Sequence, residues 1–574
     1  MEYTFKRINK IVEELKTYIT REEREIDYFY YKEGNFRNVD EVEQSSICWQ
    51  EFRPGSRWGG RDVHCWFRAK VNIPESFAGQ TVAFRVSTSG AKDLWDAINP
   101  QFFLYINGDL IQGLDINHRE VIFTRQAEAD AVYQFDLKAY SGMLDQKAEL
   151  NAGLVLVDET IKNIYYDLSV PLLVAKELPA DDRQKEILLS VLNKAINQLD
   201  LRKPYSKAFY SSIAVASAFL AEQLKREANG NEEVIATCVG HTHIDVAWLW
   251  TLAQTREKVA RSFSTVLKLM EDYPEYIFMS SQPQLYQFIK EDYPEVYSKI
   301  KTRIKEGRWE PEGAMWVEAD CNLASGESLV RQILFGTRFF REEFGHTNQV
   351  LWLPDVFGYS AALPQILTKS GINYFMTTKI SWNDYNQMPY DTFMWRGIDG
   401  TEILTHFITT RDPDFTLNPH CTTYNGKLIP GAIIGGWRRY QQKNINNDIL
   451  IAFGYGDGGG GATPEMLENA RRMNKGLPGC PRVEMGKVGD YFERLASKVA
   501  VRKDFPKWVG ELFLEYHRGT YTSMARNKRY NRKSELLYQD VELFAIFGML
   551  LGMEYPQNAI NRGWELILLN QFGE

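Results

Sequence analysis

The chain has 574 residues, 44% of them hydrophobic and 25% charged, the balance of a soluble globular protein whose length calls for several domains. A net charge of −8 excludes the basic face that nucleic acid or an anionic membrane requires. No run reaches the roughly 18 apolar residues of a membrane span, the opening Met1–Arg7 has no secretory h-region, and the six scattered cysteines form no C-x-x-C pair. These features read as a cytoplasmic protein with reduced thiols.

Residues 1–44 form a helical segment, with Phe5, Ile8, Val12, Leu15 and Ile19 on one stripe of a helix expected over 1–25. The texture changes over 45–178 to short alternating runs such as Thr81–Val86 and Gln101–Ile106, punctuated by the hairpin signal Asn107-Gly108. This predicts an antiparallel β-sandwich, an accessory module that either packs on its neighbour or binds carbohydrate; His64 and His118 read as structural histidines within it. Residues 179–232 read as a polar helical connector. From 233 to 508 strands and helices alternate, which implies a largely parallel sheet or barrel, with strands expected at 234–239, 349–353 and 449–453 and a helix over 284–306. Residues 509–574 hold a polar-aromatic loop and two helices, a partial helical bundle.

Three strand ends gather chemistry. After 234–239 comes Gly240-His241-Thr242-His243-Ile244-Asp245. After 349–353 comes Pro354-Asp355-Val356-Phe357, and after 449–453 comes Gly454-Tyr455-Gly456-Asp457 followed by four glycines. Ligands of α/β sheets lie beyond the carboxyl ends of strands. Alternate residues of extended chain point the same way, so His243 and Asp245 can meet one metal ion, with His241 structural or supporting. A catalytic Zn²⁺ takes three or four protein ligands; Asp355 and His517 are the remaining candidates. Asp355 and Asp457 suit a carboxylate pair acting on a glycosidic bond. Gly454-Tyr455-Gly456-Asp457-Gly458-Gly459 also matches the G-x-G-x-x-G dinucleotide pattern, but an aspartate there would face the pyrophosphate. The acidic-aromatic run Trp309–Asp320 reads either as a cleft lining or as a surface loop. Trp248, Trp316, Phe357, Trp382 and Trp395 are candidates for stacking on a sugar.

Together the runs His241–Trp248, Leu353–Gly358, Gly454–Gly461 and Glu515–Ser523 resemble, in order and spacing, glycoside hydrolase family 38, the α-mannosidases; Arg57–Trp66 is most similar to the cytosolic and bacterial branch. The resemblance implies a seven-stranded, barrel-like, mostly parallel catalytic domain and a retaining, metal-dependent enzyme. By that resemblance it would remove terminal α-mannose from oligosaccharides through a mannosyl-enzyme. By position, the metal, usually Zn²⁺ with Co²⁺ or another divalent ion as substitutes, would be held by His243, Asp245, Asp355 and His517. Asp355 would be the nucleophile, Asp457 the acid/base, and Trp248 and Phe357 sugar contacts. The family's other branch carries two adjacent acids where this chain has Asp457-Gly458. A mannoside substrate is the implied partner, together with assembly into dimers or tetramers; neither nucleic acid nor a membrane is implied. Asn570-Gln571-Phe572 resembles the start of a family motif that continues with His-Asp, so a C-terminally truncated chain is expected. The alternatives are an inactive or merely sugar-binding fragment and a metal-dependent amide hydrolase or deacetylase.

Overall fold

A computed structural model describes residues 2–53, 55–89, 100–228, 234–412 and 420–573. The opening helix, Glu2–Tyr18, is shorter than the 1–25 expected. The charged run that follows, Thr20–Glu25, pairs antiparallel with Lys147–Val157. Sheet pairing overrides the helical tendency of its glutamates and arginines, and an edge strand tolerates charges on both faces. The N-terminal sheets therefore begin at Thr20, earlier than the expected boundary at 45. They end at Val157, and the helix Glu159–Glu177 follows inside the expected 45–178 segment.

Two antiparallel sheets form this region. One runs Thr20–Glu25, Lys147–Val157, Thr81–Ser89, Glu120–Thr124, and the other Gln50–Phe52, Phe29–Glu33, His64–Asn72, Val132–Tyr140, Gln101–Ile106, Asp109–Leu114. Alternation explains the packing. Phe67, Leu104 and Leu137 point between the sheets with Phe84 and Leu154, whereas Trp66, Phe103 and Tyr105 point outward into the core shared with the α/β domain. The second sheet is thus buried on both faces, and Phe103 stacks on Tyr293 at 5.6 Å. Asn107 and Gly108 both take positive φ, the two-residue hairpin geometry their sequence predicts.

In the α/β region the strand Ile235–Gly240 is flanked by parallel neighbours Phe278–Met279, Asp448–Phe453 and Arg482–Met485, with Trp309–Glu310 beyond Phe278–Met279. A second sheet holds Val350–Trp352, Tyr374–Thr377 and Glu402–Phe407 in parallel, then Thr392–Arg396 antiparallel and Lys507–Val509. The expected seven-stranded barrel-like domain is thus laid out as two five-stranded sheets, with an isolated parallel bridge, Gly313–Leu351, running between them. The helix expected over 284–306 divides into Pro283–Asp292 and Pro294–Lys305, because Pro294 lacks the N–H a continuous helix needs.

Two C-terminal helices, Ala525–Leu550 and Gln557–Leu569, pack on each other, and the second lies against Gly326–Phe344. The shorter one buries Ile560, Trp564 and Leu568, while the longer leaves Leu536, Leu543, Phe544 and Phe547 exposed. Among the described residues no helix is long and apolar enough to cross a membrane, and the six cysteines are unpaired.

Candidate active site

The strand Ile235–Gly240 lies between apolar neighbours and releases the chain at His241 with its polar side chains already enclosed; His241, His243 and Asp245 are all buried. His241 Nδ1 donates to the Met279 carbonyl at 3.2 Å, and its Nε2 accepts from the Trp352 indole at 3.4 Å. Both ring nitrogens are engaged. Burial, with the neighbouring His243, lowers its pKa to about 3 and keeps it neutral. It is a structural imidazole.

His243 differs. Its Nδ1 lies 3.1 Å from the Glu318 carboxylate, while Nε2 lies 3.2 Å from Asp245 Oδ1 and 3.7 Å from Asp355 Oδ2. Burial opposes charge on the ring, but the Glu318 and Asp245 carboxylates outweigh it and hold the pKa well above the ordinary value. A carboxylate on one imidazole nitrogen fixes the ring so that the other can ligate. A tetrahedral ion with bonds of about 2.1 Å spaces its ligand atoms about 3.4 Å apart, and the gaps at Nε2 match that spacing. Asp245 Oδ2 is buried and accepts no hydrogen bond among the described residues. An unsatisfied buried group costs about 1–3 kcal/mol, more when charged, and a divalent cation would offset this. The donor set of one imidazole and two carboxylates therefore fits a metal such as Zn²⁺.

Asp355 follows Val350–Trp352 on the neighbouring sheet. Its Oδ1 pairs with the Lys379 ammonium and its Oδ2 accepts from the Tyr424 hydroxyl at 2.8 Å. Burial works to raise its pKa, but Lys379 and His243 outweigh burial and keep the carboxylate ionised below its usual range. The same Tyr424 hydroxyl lies 3.1 Å from Asp457 Oδ1, and Asn425 donates to Asp457 Oδ2 at 3.1 Å. Ligand atoms of His243, Asp355 and Asp457 all lie within 4.8 Å of one another. Asp457 carries the opposite perturbation: burial, followed by Asp245, raises its pKa to about 7. Two carboxyls in contact with one hydroxyl are thus driven apart, one ionised and the other protonated near neutral pH. The loop bearing Asp457 packs tightly on the first. A Cβ at Gly456 would fall 2.1 Å from Asn425 Oδ1 and 3.1 Å from His243 Cβ.

His517 is the expected ligand that does not join this group. It takes a left-handed φ of 58° just before the short turn Arg518–Tyr521, and its ring leans on Phe357 at 4.6 Å. Among the described residues neither it nor Asp245 falls within a group of three closely spaced potential ligand atoms. Burial and then the Lys379 ammonium lower its pKa. Phe357 is buried between His517 and Lys379, and Trp248 is half-buried against Trp250 at 5.5 Å. Phe572, near the end of the chain, stacks on His243 at 6.3 Å. Sequence reasoning did not single out Lys379, Tyr424 or Asn425, which no motif marks. It named Glu318 only as part of a run that could line a cleft.

A model of the glycosyl hydrolases family 38 N-terminal domain matches residues 233–511, and one of the alpha mannosidase middle domain matches 515–573. Alpha-mannosidase G of Dictyostelium discoideum is 33% identical over 545 residues, 91% of this chain and 47% of its own. Alpha-mannosidase 2C1 of Homo sapiens is 35% identical over 563 residues, 94% of this chain and 51% of its own. An alpha-mannosidase of Saccharomyces cerevisiae is 36% identical over 434 residues, 73% and 39% of the two chains. The chain spans about half the length, or less, of these curated relatives. The strand-end motifs thus sit inside matched domains in the family's order, and the chain belongs to glycoside hydrolase family 38.

Proposed function

We propose that this chain carries the active site of a retaining, metal-dependent α-mannosidase acting on terminal α-mannose of oligosaccharides in the cytoplasm. The observation that carries the reading is the triad of His243, Asp355 and Asp457, whose ligand atoms lie within 4.8 Å of one another around one tyrosine hydroxyl. Retaining glycosidases place their two carboxyls about 5 Å apart, and inverting ones leave a wider gap for water.

Asp355, ionised beside Lys379, attacks the anomeric carbon, and the glycosidic bond breaks. Asp457, protonated, gives its proton to the departing oxygen. In the second half Asp457 takes a proton from water, which attacks the anomeric carbon and frees Asp355. Tyr424 steadies both carboxyls, and Asn425 orients Asp457. His243, Asp245 and Asp355 would hold the metal, with Zn²⁺ the first choice and Co²⁺ an acceptable substitute for a mixed nitrogen and oxygen site. When bound it would supply Lewis acidity toward the sugar's hydroxyls. His517, with Phe357 and Trp248, is assigned to the sugar-facing wall rather than to the metal. Chelator-sensitive release of nitrophenol from nitrophenyl α-mannoside by the purified chain tests the reading; absence of hydrolysis in metal-supplemented buffer would refute it.

A further inference from the structure

The loop that carries Asp457 is touched from an unexpected direction. Between the sandwich strands Asp109–Leu114 and Glu120–Thr124 the chain makes a tight turn at Asp115–His118. Asp115 Oδ1 accepts the backbone N–H groups of Asn117 and His118, both at 2.8 Å, and pairs with His118 Nδ1 at 2.9 Å. The far side of the turn faces the glycine loop. His118 Nε2 donates to the Ala462 carbonyl at 2.8 Å, and Asn117 Nδ2 donates to the Gly459 carbonyl at 3.3 Å. The approach leaves no room for a side chain: a Cβ at Gly460 would lie 2.6 Å from Asp115 Oδ2 and 2.8 Å from the His118 ring. His118 itself is only 3% exposed.

The turn is braced from behind. Gly113 exchanges hydrogen bonds with the Thr265 hydroxyl of the helix Leu252–Asp272. Lys258 of the same helix donates to Gln101 of the sandwich at 3.2 Å, and Lys138 and His64 of the sandwich meet Glu257 at 2.9 Å and 3.1 Å. The sandwich therefore sits in a fixed place against the α/β domain. On the other side of the loop, Gly454 donates to the Gly426 carbonyl and Tyr455 exchanges backbone bonds with Gly461. Asp457 hangs between these anchors in the left-handed region, at φ of 53°.

We infer that Asn117 and His118 are positioning residues for the proposed reaction: the sandwich holds the backbone of residues 459–462, and through it the carboxyl of Asp457. The inference rests on the reading of Asp457 as the acid/base. The sandwich is then a working part of the active site and not an appended module.

The test compares full-length wild type, Asn117→Ala, His118→Ala and a control, Leu154→Ala, which trims the sandwich core on a different strand. Acid assistance matters for a poor leaving group and little for a good one. For both turn variants kcat/KM with mannobiose should fall about 10- to 100-fold, while kcat/KM with dinitrophenyl α-mannoside, which reports only the first half-reaction, should change less than about threefold. Leu154→Ala should lower Tm without separating the two substrates. Amide hydrogen exchange is read on the same proteins: residues 454–463 should exchange at least about tenfold faster in both turn variants than in wild type, with 353–359 unchanged. Parallel loss on both substrates, or unchanged exchange in the glycine loop, would overturn the inference. A wild type inactive on both mannosides defeats the proposed function instead, and the exchange measurement alone then decides whether the turn holds the loop.

Discussion

Two loops leave adjacent parallel strands, paired Gly240 to Phe453, and end within a few ångströms of each other, yet they are built differently. The loop His241–Asp245 is held by the strand ends beside it: Met279, Trp352 and Glu318 come from those ends and the segments after them. The loop Gly454–Gly461 has one acid in a strained backbone conformation among glycines, and its partners arrive from elsewhere, from Tyr424 and Asn425 on one side and from the sandwich on the other. The first loop, proposed as the metal-binding device, takes its supporting contacts from adjacent strand ends. The second, proposed as the catalytic device, has its geometry imposed by the tertiary structure, as strained functional residues require.

Substitutions should separate the two devices. The largest loss is expected for Asp355→Ala, which serves both. Turnover should fall about 10⁴-fold or more, and metal content measured by atomic emission should fall with it. Asp457→Asn should lower kcat with mannobiose about 10²- to 10⁴-fold yet leave metal content intact, and azide should restore turnover of dinitrophenyl mannoside as a mannosyl azide. Its pH profile gives a second check. A carboxyl raised to about 7 is protonated below that pH and loses its acid function above it. The kcat/KM of wild type should therefore decline as pH rises through about 7, and this limb should vanish in Asp457→Asn. Glu318→Ala should act on the other device, weakening metal affinity about 10- to 100-fold in chelator competition, with no selective effect on poor leaving groups. The smallest effect on metal is expected for His517→Ala, less than about threefold in affinity, since its ring rests on Phe357. A loss as large as that of Asp245→Ala would return His517 to the ligand set.

The same contrast explains what could be read from the chain in advance. His243, Asp245, Asp355 and Asp457 could be picked out as candidates because each follows a short apolar run that reads as a buried strand, on one sheet or on its neighbour. Tyr424 and Lys379 lie in stretches with no periodicity, and their roles come from where tertiary packing delivers them. His517 is placed differently: its order among the motifs suggests a ligand, and its ring lies 4.6 Å from Phe357, outside the group of His243, Asp355 and Asp457. In the fold, Thr20–Glu25 carried a helical composition and became an edge strand, because pairing with Lys147–Val157 is a contact no local pattern announces. His118 read as an ordinary structural histidine, and it is structural. What local pattern could not tell is that the structure it supports is the glycine loop, 344 residues away along the chain.

Asp355 and Asp457 are assigned as nucleophile and acid/base across one sugar, and the rest of the account depends on that pairing. Trapping with a fluorinated mannosyl fluoride, followed by proteolysis and mass mapping, tests it most directly in the metal-loaded chain. A single mannosyl adduct on Asp355, accumulating and then turning over in wild type, is the predicted result. An adduct on any other carboxylate, or hydrolysis with inverted anomeric configuration and no adduct, would contradict it.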